Sequence, residues 1–439
     1  MKIKIKSLIS ILLVIFLSGC GTREFFGFEE KKIPLPGKRI SVLKGDLNSF
    51  ENIRTDSKVE LSELEINLNW EQSHNSPTHM SKNLSAITEF NKFKRIASGK
   101  GEEKDSKILS QPVIKDNKIF YIDAKTNIIA YDLEAKRVIW KKNISTSLEN
   151  DHNIGGGLAI NENAIFVNSP YAEVLSINKE NGALIWSKKV SSPLRSSPTL
   201  VNNRVLSITV DNRLLVLDQV KGELIWSHEG IPNNTSIVSA PKVAADQNIL
   251  VVPYSNGDYF GLNLTNGIEL WKGSIVDIEQ TKTSNTFNDI DANPIFINNS
   301  VIIAGSTGKI ISLDKRNGSE NWARDFNTNQ TPLVNKNSIY LINNNKEILN
   351  LDLKNGKIRW ITKIKESLSK YYLNIWYSPI LVNNKIVVVG GDKKLVILNP
   401  FDGKIEKIIN LPSLPASSPF IANKKMYLNM RNGDIISFE

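Results

Sequence analysis

The 439-residue chain is 41% hydrophobic and 23% charged, a balance that supports a packed core and excludes disorder as the whole answer. Its 55 Lys and Arg against 45 Asp and Glu give a net charge of +10. Three of these charges (Lys2, Lys4, Lys6) open the chain and the rest are interspersed with carboxylates, so no basic patch points to nucleic acid.

Residues 1–20 read as an address. Three lysines precede a ten-residue apolar run, Leu8 to Leu17, broken only by Ser10 and too short to span a bilayer. Leu17-Ser18-Gly19-Cys20 then resembles a bacterial lipobox, in which the cysteine takes lipid on its sulfur and becomes the new N-terminus. An ordinary signal peptide with an incidental cysteine is the alternative. Cys20 is the only cysteine, which excludes an internal disulfide, a cysteine zinc cluster and a buried cysteine nucleophile. Gly21, rather than Asp, after it implies by analogy the outer membrane, with the body facing the periplasm. Residues 21–64 have no clean period and include Pro34, Pro36 and Gly37, which break regular structure. They read as a flexible tether with a reach of roughly 35–40 Å.

Residues 65–439 are one unit repeated. Tryptophans at 140, 186, 226, 271, 322 and 360 are separated by 46, 40, 45, 51 and 38 residues. Four residues before five of them stands a glycine (Gly182, Gly222, Gly267, Gly318, Gly356), with Lys136 in the first copy. Four residues earlier again is a short polar acceptor: Asp132, Asn178, Asp218, Asn263, Asp314 or Asp352. A proline opens most copies, 28 residues before the tryptophan (Pro112, Pro198, Pro294, Pro332) or 30 before it (Pro241).

In the third copy Ser197 to Val201, Arg204 to Val210, Leu214 to Leu217 and Glu223 to Ser227 read as four short strands, joined by Asn202-Asn203, Asp211-Asn212 and Lys221-Gly222. The Asp or Asn before each glycine can fold its side chain back onto turn N–H groups. The opening proline suits a strand residue with no ladder bond to donate. The tryptophan is large enough to fill the wedge between adjacent sheets. Two further copies open at Pro379 and Pro419; the first has Lys407 where tryptophan is due, and the second stops after about three strands. These features predict an all-β, eight-bladed β-propeller of four-stranded blades, closed by N- and C-terminal strands. The short alternating segment Leu64 to Trp70, with its spare tryptophan, is the expected closing strand.

Leu217 to Trp226 and Leu351 to Trp360 resemble the tryptophan-docking repeat of propellers related to pyrroloquinoline-quinone (PQQ) enzymes. Two groups carry it: periplasmic quinoprotein dehydrogenases, and the BamB family of lipoproteins in the outer-membrane β-barrel assembly machinery. The vicinal cysteine pair often seen in the dehydrogenases is impossible here. The lipobox, the size, the Pro34 to Arg39 stretch and Trp70-Glu71-Gln72 resemble alphaproteobacterial members of the BamB family. The resemblance implies a scaffold without enzymatic activity or cofactor. Its implied partners are the periplasmic POTRA region of the barrel subunit BamA and the other assembly lipoproteins, with unfolded outer-membrane proteins adding strands at outer blade edges. Leu194-Arg195-Ser196-Ser197-Pro198 and Asp289 to Pro294 resemble the segments that contact BamA in the family, which assigns partner binding to Leu194, Arg195, Asp289 and Asp291. Ser196 departs from the family glycine, and one residue of spacing is lost. A PQQ-dependent alcohol dehydrogenase-like quinoprotein is the alternative.

Both segments precede a repeat-opening proline, so they fall in loops from the outer strand of one blade to the inner strand of the next, which all emerge on one face. The structural alternative is that Asp291 caps a turn and Arg195 pairs with a neighbouring carboxylate. His74, His79, His152 and His228 are too scattered for a metal set, His74 and His79 falling in a polar loop. Gly155-Gly156-Gly157 enters a strand rather than opening a helix, which removes the mechanism of a phosphate cradle.

Overall fold

The computed structural model describes residues 53–87, 90, 92–145, 155–194, 196–232, 241–276, 290–306, 308–364 and 375–439. Eight antiparallel blades form a propeller, each contributing four strands. Blades 1 to 7 occupy 113–143, 157–189, 199–229, 244–274, 295–324, 333–363 and 380–410. Inner strands are largely apolar and buried, as in Ile295–Ile297, whereas outer strands alternate, as in Leu224–Glu229. Apolar layers between blades make the core; Phe166 and Val174 of blade 2, for example, pack on Val205 and Leu215 of blade 3.

Each tryptophan locks its blade to the next. In blades 1 to 7 the ladder skips one residue of the outer strand just before the tryptophan position, as at Ile225 between Leu224 and Trp226. A bulge of this kind re-aims the side chain that follows it. The indole N–H of Trp186 donates to the carbonyl of Gln219 in blade 3 at 3.0 Å, and Trp140, Trp226, Trp271, Trp322 and Trp360 make the same bond to Lys179, Leu264, Lys315, Leu353 and Pro400. The ring lies against the next blade's turn glycine. A Cβ on Gly222 would sit 2.5 Å from the ring of Trp186, and Gly182, Gly267, Gly318, Gly356 and Gly403 are placed alike.

The exceptions show what the glycine is for. Blades 7 and 8 carry Lys407 and Lys94 at the tryptophan position. The blade 1 turn, which follows Lys94, carries Lys136, with φ of 54°. A non-glycine residue therefore occupies the left-handed conformation where no indole arrives, so in the other copies it is space for the ring that excludes a side chain. The polar acceptors act as expected: Asp218 accepts from the N–H groups of Val220 and Lys221 at 2.9 and 2.8 Å, and Asn178 and Asn263 do likewise in their turns.

The ring is closed by the two chain ends, but not by the expected segment. Phe93–Ser98 is the outer strand of blade 8, pairing antiparallel with Asp434–Phe438. Leu64 to Trp70 instead enters the central channel. Leu64–Glu65 pairs in parallel with Asn83–Leu84, which pairs in parallel with the inner strand of blade 7 at Leu381 and Val382.

Between these two strands the chain circles the channel and bonds to the inner strand of every other blade. The Asn67 side chain donates to the Ile421 carbonyl of blade 8, and Trp70 exchanges two 2.8 Å backbone bonds with Ile114 of blade 1. The Glu71 carbonyl takes the N–H of Ile160, and the Gln72 side chain takes that of Leu200. Pro77, Thr78 and Ser81 meet Ala245, Phe296 and Val334 of blades 4, 5 and 6. The free inner edges, whose backbone groups need partners, are thus capped by the protein's own chain. The expected tether also ends earlier than residue 64. Arg54 bridges Ile358, Arg359 donates to the Ser57 carbonyl, and Ser62 N–H donates to Asn335, so 54–62 is strapped across blade 6.

Candidate functional site

The loops from each outer strand to the next inner strand share one face with the turns between second and third strands, as the uniform topology requires. On that face a cavity of about 560 Å³ opens on the axis, and the channel segment, from Trp70 to Leu84, forms its floor. Blades 3 to 6 contribute a polar wall with Ser197, Lys242, Asn293 and Thr331. Blades 7, 8 and 1 contribute Ile375, Ile380, Pro419, Ile108 and Leu109, together with the cluster in which Glu102 faces Lys107 at 3.9 Å and Arg431 at 4.0 Å.

Two histidines stand in the floor, their rings 5.4 Å apart. His79 Nδ1 donates to the Pro294 carbonyl at 2.9 Å. Burial pulls its pKa down to about 4, against the raising effect of that bond. Burial, then the neighbouring His79 and Lys242, hold His74 well below its ordinary value. Both rings are neutral at pH 7. Burial also draws Lys242 down to about 8, so its ammonium remains the prevailing form at neutral pH. The reading of His74 and His79 as a polar loop is corrected: His79 is 1% exposed, and both belong to the channel. Trp70, a tryptophan outside the repeats and 6% exposed, is the sequence signal that this segment is packed. Nothing in the sequence singled out Lys242.

Leu194 does not offer its side chain to a partner. It is 0% exposed, packed with Phe166, Leu200 and Val205, and its backbone bridges Thr209. Burial between blades 2 and 3 makes it a core residue that pins the loop. Asp291, 6% exposed, lines the cavity two blades away on the same face. Arg195, Asp289, Cys20 and His152 lie outside the described residues. At the outer blade edges, exposed pairs such as Leu184-Ile185 and Leu224-Ile225 sit at the recurring bulge, which interrupts the ladder an added strand would need.

The bulge, the docked indole and the receiving glycine, repeated around an axis plugged by the chain's own N-terminal segment, define a tryptophan-docked propeller of the PQQ-like class. The sequence model of the family described as outer membrane protein assembly factor BamB matches residues 137–362, and the chain belongs to that family. An uncharacterised protein of Rickettsia conorii is 26% identical over 222 residues, 49% of this chain and 53% of the relative. BamB of Kangiella koreensis is 29% identical over 236 residues, 54% of this chain and 59% of the relative. The chain thus spans little more than half the length of these curated relatives. BamB from Moraxella catarrhalis superposes with a TM-score of 0.66 at 15% identity, covering 79% of this chain and 99% of that one. A europium-containing methanol dehydrogenase superposes with 0.65 at 12%, covering 82% and 89%. These structural likenesses establish the fold alone.

Proposed function

We propose that this protein is a non-catalytic scaffold of the outer-membrane β-barrel assembly machinery, held at the periplasmic face of the outer membrane by lipid on Cys20. In this reading it docks on the POTRA region of BamA, alongside the other assembly lipoproteins, and aids insertion of outer-membrane proteins. The observation that carries the docking face is the placement of two loops: that between Lys189 and Thr199 and that between Ser274 and Ile295 leave the same face two blades apart. Leu194, Ser196 and Ser197 are buried on either side of position 195, so the first loop is anchored to the rigid body around it. Arg195, Asp289 and Asp291 then supply the polar contacts, and Leu194 the support beneath them.

Affinity purification from detergent-solubilised membranes tests this reading. Recovery of the barrel subunit with the wild type and its loss with Arg195→Glu is the expected result. Equal recovery with both proteins refutes the site, and recovery of neither partner under conditions that preserve a control complex refutes the function.

A further inference from the structure

Four cations line the axial cavity, and three are already matched. Lys82 meets Glu65 at 2.7 Å, while Lys107 and Arg431 share Glu102. Lys242 has no carboxylate partner among the described residues, and it stands half-buried in the cavity wall near two neutral histidines. A cation partly withdrawn from water without a counter-ion is stabilised when an anion joins it. Its backbone is fixed for the purpose: Lys242 N–H donates to Asn293 Oδ1 at 2.8 Å, and Asn293 N–H donates to Thr331. Asp291 also lines the cavity, and this residue has an interaction of its own.

The opposite side of the cavity is short of a partner in a different sense. Leu109 and Ile375 are 36% and 39% exposed, and both line this cavity. Its volume, about 560 Å³, is that of a small-molecule site. One end therefore wants negative charge and the other wants apolar surface.

We propose that the axial cavity binds an amphipathic monocarboxylate, its carboxylate on Lys242 and its apolar body against Leu109, Ile375 and Ile380. A fatty acid and the free C-terminus of an apolar peptide share this chemistry. The assignment goes beyond the scaffold reading and stands whether or not BamA is the partner.

Calorimetric titration of the full chain with octanoate and 1-octanol, and with an N-acetylated aliphatic tripeptide as free acid and as amide, tests it. At least one acid binds, about tenfold or more tightly than its uncharged counterpart, as a charge-assisted bond requires. The acid that binds more tightly identifies the source. Lys242→Met erases the difference between acid and uncharged probe, and Lys242→Arg preserves it. Binding of neither acid to the wild type, equal binding of the charged and uncharged probes, or an acid preference that survives in a folded Lys242→Met protein each overturns the proposal. Should Lys242→Met fail to fold, the wild-type comparison and Lys242→Arg still decide.

Discussion

Replacing Gly222 by alanine separates the two reasons a glycine could be needed at the blade turns. The residue has a φ of +70°, and its new Cβ would lie 2.5 Å from the Trp186 ring. The left-handed backbone costs alanine about 1 kcal/mol. The clash adds about 1–3 kcal/mol, because the indole is fixed by its bond to Gln219 and cannot retreat without losing it. The expected loss is about 2–4 kcal/mol, or about 3–5 °C in melting temperature if the ring of nearly 390 residues unfolds as one unit. In a Trp186→Ala background, itself destabilised by about 3–5 kcal/mol, the same Gly222→Ala change should cost only the backbone share, about 1 kcal/mol. Lys136→Ala, at a turn with φ of 54° that receives no indole, should shift stability by less than about 0.5 kcal/mol. Denaturant melts of the single and double variants provide the cycle. An equal penalty for Gly222→Ala with and without Trp186 would refute the argument from space.

Asp218→Ala removes the acceptor for two turn N–H groups and should cost about 1–2 kcal/mol by the same melts, whereas Asp218→Asn, the residue other copies use, should cost less than half of that. Leu194→Ala should destabilise the protein by about 2–5 kcal/mol, as a fully buried leucine does, while Arg195→Glu should leave the melting temperature unchanged and abolish capture of the barrel subunit. The folded pKa of His79 lies below its unfolded value, so the unfolded chain binds the extra proton between pH 6.5 and about 4. Stability is full above 6.5 and falls through that window, and melting temperatures taken from pH 7.5 to 4.5 should fall less steeply for His79→Asn. His74, also held well below its ordinary value, first by burial and then by His79 and Lys242, adds to the slope below pH 6.5. Asp314 runs the other way: its bonds from Arg316, side chain first and then backbone, hold it at about 2, so an NMR titration should show this carboxylate still ionised at pH 3.

The repeat was legible because its fixed positions answer to local chemistry. Asp218, Gly222 and Trp226 lie within nine residues, and each meets a need of the turn or of the next blade that any reader of the chain can infer. The closing strand was not legible because Lys94 takes the tryptophan position and its blade neighbour, Asp434–Phe438, lies at the other end of the chain, so no turn marks the copy; Trp70 then drew the assignment to the wrong segment. The channel segment escaped for a different reason. It binds largely through backbone groups, so it has no side-chain period, and its partners lie on eight blades spread over the rest of the sequence. Lys242 owes its character to burial alone, which no local pattern encodes. Leu194 was identified as a position but misjudged in role, since sequence does not say which side of a loop a leucine faces.

The N-terminal segment that caps eight inner edges, and the strand after it that completes blade 8, set the order in which the molecule can mature. Both emerge first during synthesis, and the strand Phe93–Ser98 cannot be locked before the last strand, Asp434–Phe438, has followed. Joining Phe93 to Phe438 brings together positions about 345 residues apart in the chain. Until then the ring is open on both flanks. A chain truncated anywhere in its final blade loses its closure as well as that blade, and remains open to proteases that the complete ring resists.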